Sequence, residues 1–310
     1  MSEDLKKMIG KEIGVYTITK YISSGSFGDV FEAKDSKTGE YVALKIPIEN
    51  DQRNGLKLLL EEVKVYNHLN KDNNTTEKSI ADLPIGISNM KVIKYDNKKV
   101  LVMDLLGQSL ESLLQKSKSK GFRLKTIILM AIQLLDIMKF IHNKGYIHRD
   151  IKPDNFVIGT QGNLNKLYCI DFGIAKKYIR GEKHTAFKKD LKFCGTARYA
   201  SISAHKGYEQ SRKDDLESIG YLLIYLYKGS LPWMGIKNKD KKKRYQRICE
   251  KKENTGEEEL CEKLPKEFMI FLKYVRNLDF DEKPHYSALK KMFLKLYETK
   301  GYDDKDFDFE

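Results

Sequence analysis

The sequence predicts an α+β chain of two unequal parts, a small strand-rich N-terminal part followed by a larger, mainly helical one. Three observations carry that expectation. Short runs rich in β-branched and aromatic residues, separated by turns, dominate the first hundred positions. Apolar residues at helical spacing dominate after Gly107. Between helical stretches lies a loop dense in charge, YIHRDIKPDN at 146–155.

In chain order, residues 15–48 read as strands VYTITKYI, DVFEAK and, after the turn DSKTGE, YVALKIPI. A helix follows over 53–69, with Leu56, Leu59, Leu60, Val63 and Tyr66 on one side. The stretch NKDNNTTEKSIADLP reads as a surface loop or insertion. MKVIKY and KKVLVMDL then read as strands flanking a turn at Asp96 and Asn97. Later helices are expected at 109–117, 124–144, 214–228, 239–251, 265–276 and 284–298. In the second of these, Ile127, Ala131, Leu134, Leu135, Met138 and Ile141 share a face, and Gly145 suits its C-cap. Asp214 and Asp215 suit a helix start, where carboxylates meet the positive end of the dipole.

A chain of 310 residues with 41% hydrophobic content can bury a sizeable core. MSEDLKKMIG has no apolar leader, and the longest nearly apolar run, IGYLLIYLY at 219–227, is too short to span a bilayer. The expectation is a soluble monomer of the cytoplasm and nucleus. Cysteines at 169, 194, 249 and 261 show no paired spacing, which argues for reduced thiols over disulfides or zinc. The net charge of +13 is concentrated in two runs. Lys176 to Arg198 holds eight basic and two acidic residues, and Lys237 to Lys252 nine and two. Such focused charge favours an anionic partner.

Four motifs carry chemistry. SSGSFGDV at 23–30 joins two strands, and Gly25 and Gly28 permit close approach of backbone to a phosphate. VALK ends at Lys45, an ammonium able to reach the same phosphates. HRDIKPDN supplies Asp150, Lys152 and Asn155, and YCIDFG delivers Asp171 into a glycine-containing turn. In this order they match the protein-kinase signature set, which implies the bilobal kinase fold and the use of ATP and Mg²⁺. By that resemblance Asp150 accepts the proton of the substrate hydroxyl, Lys152 stabilises the transferring phosphoryl, and Asn155 and Asp171 hold magnesium. Of the two candidate partners for Lys45, Glu62 lies beside the apolar stripe of helix 53–69 while Glu61 points away, so Glu62 is preferred.

The text GTARYASISAHKGYEQSRKDDLESIGYLLIYLYKGSLPW at 195–233, with RYQRICEKK and FDEKPHYSALKKMF, resembles the casein kinase I family of serine/threonine kinases. Like that family, the chain lacks the Ala-Pro-Glu that closes many activation segments. The resemblance implies one kinase domain over 1–310, with an N-lobe at about 12–104, a hinge at 104–107 and a C-lobe at about 108–300. Nucleotide contacts are implied for Ile22, Gly25, Ser26, Gly28, Val30 and Ala43. Met103 falls at the gatekeeper position, with Asp104 to Leu106 facing adenine. Arg198, Gly235 and Arg244 match an anion site for acidic or phosphorylated protein substrates. Ser23 departs from the family's first loop glycine, and the 71–85 loop looks longer than usual. A catalytically weak scaffold of the same fold is the rival reading, although Lys45, Asp150 and Asp171 are all retained. The basic runs carry no nucleic-acid recognition motif, so DNA binding is not expected.

Overall fold

The computed structural model describes residues 3–25, 28–47, 52–70, 86–88, 90–96, 98–160 and 162–309. Ser26 and the loop at 71–85 lie outside them. The chain divides into two compact units: Met1–Asp82, Ile87–Gly107 and Ile170–Ile174 form the first, and Leu83–Gly86, Gln108–Cys169 and Ala175–Glu310 the second.

After a single helical turn, α1 (Glu3–Lys6), the first unit is an antiparallel sheet. Its strands are β1 (Glu12–Ile13), β2 (Tyr16–Gly25), β3 (Gly28–Asp35), β4 (Tyr41–Ile46), β5 (Met90–Tyr95) and β6 (Lys98–Asp104), in the order β1-β2-β3-β4-β6-β5. Alternation along the strands sorts the side chains between two faces. Ile13, Tyr16, Ile18, Phe31, Ala33, Leu44, Val100 and Val102 form the core cluster on one of them. The opposite face holds Val30, Ala43, Lys45 and Met103, because Val30 pairs with Lys45 and Ala43 with Met103 across the ladder.

Helix α2 (Gln52–Asn70) completes this unit. Its buried stripe runs through Leu59, Glu62, Val65, Tyr66 and Leu69. That stripe is rotated from the expected one, since Leu60 and Val63 are only half-buried. Glu62 therefore lies inside the stripe and is drawn there by an ion pair described below.

The second unit begins with α3 (Leu110–Lys116), capped by Ser109, and α4 (Leu124–Asn143). The expected face of α4 is buried, and Gly145 takes φ +82° just beyond its end. Short antiparallel pairs follow: β7 (Tyr146–Ile147) with β10 (Lys176–Lys177), β8 (Phe156–Ile158) with β9 (Leu167–Cys169), and β11 (Ile179–Arg180) with β12 (Lys183–His184). The remaining helices are α5 (Ile202–His205), α6 (Arg212–Lys228), α7 (Lys241–Glu253), α8 (Glu257–Leu260), α9 (Lys266–Asn277) and α10 (Tyr286–Thr299). Helix α4 packs on α6 and α10, and α6 on α9. All four cysteines are free thiols, and among the described residues no helix is long and apolar enough to cross a membrane.

Helix α6 is buried along most of its length and starts two residues before the expected position. Charges on a buried helix need partners, and the two aspartates find different ones. Asp214 accepts from the Ser201 hydroxyl at 2.5 Å and from the Ser211 backbone N–H at 2.7 Å, and burial pushes its carboxyl up to about 7. Asp215 lies in the first turn of α6, as the sequence suggested, and it also reaches a loop distant in the chain. Its carboxylate accepts from the backbone N–H of His148 and of Arg149, each at 2.8 Å, and from His142 Nε2 at 2.8 Å. Arg149 stands at φ +69°, a conformation that disfavours a residue with a side chain, and the Asp215 contacts hold it there.

Burial alone would raise the Asp215 carboxyl, but the hydrogen bond and charge of His142 and the contacts of His148 outweigh it and leave it below the usual range. A depressed folded-state value stabilises the fold above the ordinary carboxylate range and loses that contribution as pH falls through the folded value. Asp215→Ala is expected to cost about 3–5 kcal/mol, measured by denaturant unfolding at neutral pH. The gap between wild type and variant should narrow below pH about 4, and a constant gap down to pH 2 would contradict the assignment.

Candidate active site

In the first unit Lys45 projects from β4 and is almost fully buried. Its Nζ lies 2.7 Å from Glu62 Oε2 and 3.6 Å from Asp171 Oδ1. Burial pulls the Lys45 pKa down, yet the two carboxylates together outweigh it and leave it raised, so the ammonium keeps its charge. Asp171 follows β9 at φ +65°, with the Gly173 N–H 3.4 Å from its Oδ1. Phe172 beside it packs edge-on against Tyr66 of α2, with ring centroids 4.9 Å apart. One helix thus holds both the partner of Lys45 and the neighbour of Asp171.

Lys45 shares its sheet face with the apolar Val30, Ala43 and Met103, and Glu32 pairs with Ala43 on the same face. That surface suits a flat aromatic base beside the ammonium. Ile22 falls in a bulge, where β2 advances from Tyr21 to Ser23 against one step of β3, and it is exposed. Gly25 pairs with Gly28 across the β2–β3 turn. A Cβ on Gly28 would come within 2.6 Å of the Ile46 carbonyl oxygen, so packing against β4 already excludes a side chain there. Asp104 closes β6, and Leu106 follows in irregular chain.

In the second unit three donors surround the Asp150 carboxylate. Lys152 Nζ is 2.6 Å from Oδ2, the Thr196 hydroxyl donates to Oδ1 at 2.7 Å, and Asn155 Nδ2 lies 3.3 Å from Oδ2. Asn155 Nδ2 also donates to the Asp150 carbonyl at 2.9 Å, so its amide oxygen is the atom left to offer a cation. The Asn155 oxygen and the Asp171 carboxylate are hard donors of the type magnesium takes. Such an ion needs only one or two protein ligands beside phosphate oxygens and water. Thr196, Asp215 and Glu209 were not singled out for these roles in the sequence; Glu209 is buried and accepts from Lys176 at 2.6 Å.

Two of the three anion-site candidates line one hollow. Gly235 and Arg244 line a hollow of about 590 Å³ with Ile236, Lys237, Asn238 and Lys239. Arg198 is not among its lining residues. Its guanidinium lies 5.5 Å from the Tyr225 ring and 5.7 Å from the Tyr199 ring, contacts that hold a cation against aromatic faces. Lys237, Lys239 and Arg244 are exposed and form no ion pair among the described residues.

The first unit holds a buried lysine–glutamate pair with an aspartate beside it, and the second holds an aspartate flanked by lysine and asparagine; these are residue types that phosphoryl transfer uses. The family model described as protein kinase domain matches residues 16–293, and the chain belongs to the protein kinase family.

Proposed function

We propose that this protein kinase acts on serine and threonine, in the manner of casein kinase I, and prefers acidic or phosphate-primed protein substrates. The observation that carries this reading is the environment of Asp150, whose two carboxylate oxygens are held by Lys152 and Thr196. A base fixed in this way is oriented for a hydroxyl, with a cation at hand for the charge that develops. ATP and Mg²⁺, when bound, supply the phosphoryl group and neutralise its charge.

Lys45, held by Glu62, directs its ammonium toward phosphate oxygens. Asp171 and Asn155 offer oxygen to magnesium. Asp150 takes the proton from the substrate hydroxyl, and Lys152 stabilises the charge on the transferring group. The scaffold reading is disfavoured because Lys45, Asp150 and Asp171 are all present and engaged with partners. Preference for acidic substrates is supported by the exposed cations around Gly235 and Arg244. Arg198 has a smaller part in this reading, since its guanidinium is stacked on tyrosines.

Transfer of labelled phosphate to a peptide library containing phosphorylated members tests the whole reading. Phosphoserine and phosphothreonine products, with higher kcat/KM for primed peptides, are expected; phosphotyrosine as the main product would overturn it. Asp150→Asn should lower kcat by roughly 10²- to 10⁴-fold while nucleotide affinity, measured by calorimetry, stays within about twofold. Arg244→Ala should lower kcat/KM for primed peptides about tenfold, given charge-assisted bonds worth about 1.5–3 kcal/mol. Matched unprimed peptides should change little, and an equal loss for both would assign Arg244 to the fold.

A further inference from the structure

Thr196 touches Asp150, yet it stands in chain that is neither helix nor strand. Something else must hold it. Gly195 brings the chain close to the Asp150 loop: at φ +103°, a Cβ there would meet the Arg149 carbonyl oxygen at 2.5 Å. Beyond it, the Tyr199 and Ala200 N–H groups both donate to the Thr196 carbonyl at 2.9 Å, which closes a turn over 196–200.

The outward carbonyls of that turn are taken up by buried donors. Lys252 Nζ donates to Ala197 O at 3.0 Å and also to Ala200 O. Trp233 Nε1 donates to Arg198 O at 2.7 Å, and His205 Nε2 to Ala197 O at 3.0 Å. Lys252 belongs to the basic run of α7, but it is 0% exposed while Lys241, Lys242, Lys243, Arg244 and Arg247 face solvent. The spacing Ile248, Cys249, Lys252 puts it on the buried side of the helix.

No carboxylate forms an ion pair with Lys252 among the described residues. Its ammonium lies 4.8 Å from the Tyr221 ring and 5.0 Å from the Trp233 ring. Burial pulls the Lys252 pKa down to about 7, with Glu217 of α6 opposing that fall and Arg276 of α9 adding to it. Burying an ammonium without a carboxylate is costly. The contacts give that burial a purpose, because an apolar residue at this position would leave Ala197 O and Ala200 O without the lysine donor.

We propose that Lys252, with Trp233 beside it, is a positioning residue for phosphoryl transfer: it clamps the carbonyls of the 196–200 turn so that Thr196 reaches Asp150. Lys252 touches neither substrate nor Asp150 in this scheme, and its effect on turnover passes through Thr196. The scheme rests on the reading of Asp150 as the base.

The test is a double-mutant cycle on the full chain with Lys252→Met, Thr196→Val and the double variant, each checked for cooperative thermal unfolding. Lys252→Met is expected to lower kcat at least tenfold with the KM for ATP within twofold of wild type. Thr196→Val should then cost less than twofold more in the Lys252→Met background. Should Lys252→Met fail to fold, Trp233→Phe removes the donor to Arg198 O, keeps a ring beside Lys252, and is expected to give the same pattern. A kcat within twofold of wild type in the folded clamp variant would overturn the proposal. So would an undiminished cost of Thr196→Val in that background. Asp150→Asn in the same assay separates the two readings: if it abolishes turnover while the clamp variant retains it, only the clamp is wrong, and if it retains turnover, the assignment of the base is wrong.

Discussion

One carboxylate organises the second unit. Asp215, buried on α6, gathers two consecutive backbone N–H groups of the loop that carries Asp150, and a histidine from α4. The loop needs this because Arg149 is held in a left-handed conformation that costs about 1–3 kcal/mol. Remove the carboxylate and the two N–H groups lose this acceptor while the strain remains. Asp150, Lys152 and Asn155 are placed by what happens at His148 and Arg149. The position of the loop that carries Asp150 is thus set by a helix more than sixty residues further along the chain.

The first unit solves an analogous problem by different means. There the constraint is a charge: Lys45 is buried on a sheet face, and it stays ionised because α2 and the turn after β9 each present a carboxylate. The two aspartates of α6 show how local these balances are. Adjacent in sequence and both buried, Asp214 is driven toward neutrality while Asp215 is held ionised, since only the latter has a histidine in contact.

Much of this was legible in the sequence because it is written in short-range patterns. The strands β3 to β6 and the long helices fall within two residues of their expected positions, and β2 runs three residues past its expected end. Glu62 could be chosen over Glu61 from helical geometry alone. The start of α7 was missed by two residues, although Asp240, which caps it by accepting from the N–H groups of Lys242 and Lys243, was a readable signal. What stayed hidden depends on contacts distant in sequence. Asp215 was legible as a residue of a helix start but not as the acceptor for His148 and Arg149, and Thr196 was not singled out at all. Lys252 was hidden by its company, because one lysine in a lysine-rich run reads as surface charge unless its spacing from Ile248 and Cys249 is weighed.

The basic run on α7 has a further consequence for how activity is compared. Lys241, Lys242, Lys243, Arg244 and Arg247 are exposed, and Asp240 in their midst is engaged in capping the helix. Fields from such charges are screened over about 10 Å at 0.1 M ionic strength, whereas the buried Lys45–Glu62 pair is insulated from mobile ions. Added salt therefore weakens the pull of α7 on any acidic partner and leaves the Lys45–Glu62 pair nearly untouched. Under the proposed preference for acidic substrates, selectivity between acidic and neutral peptides becomes a function of buffer composition, and rankings obtained at different ionic strengths do not describe the same preference.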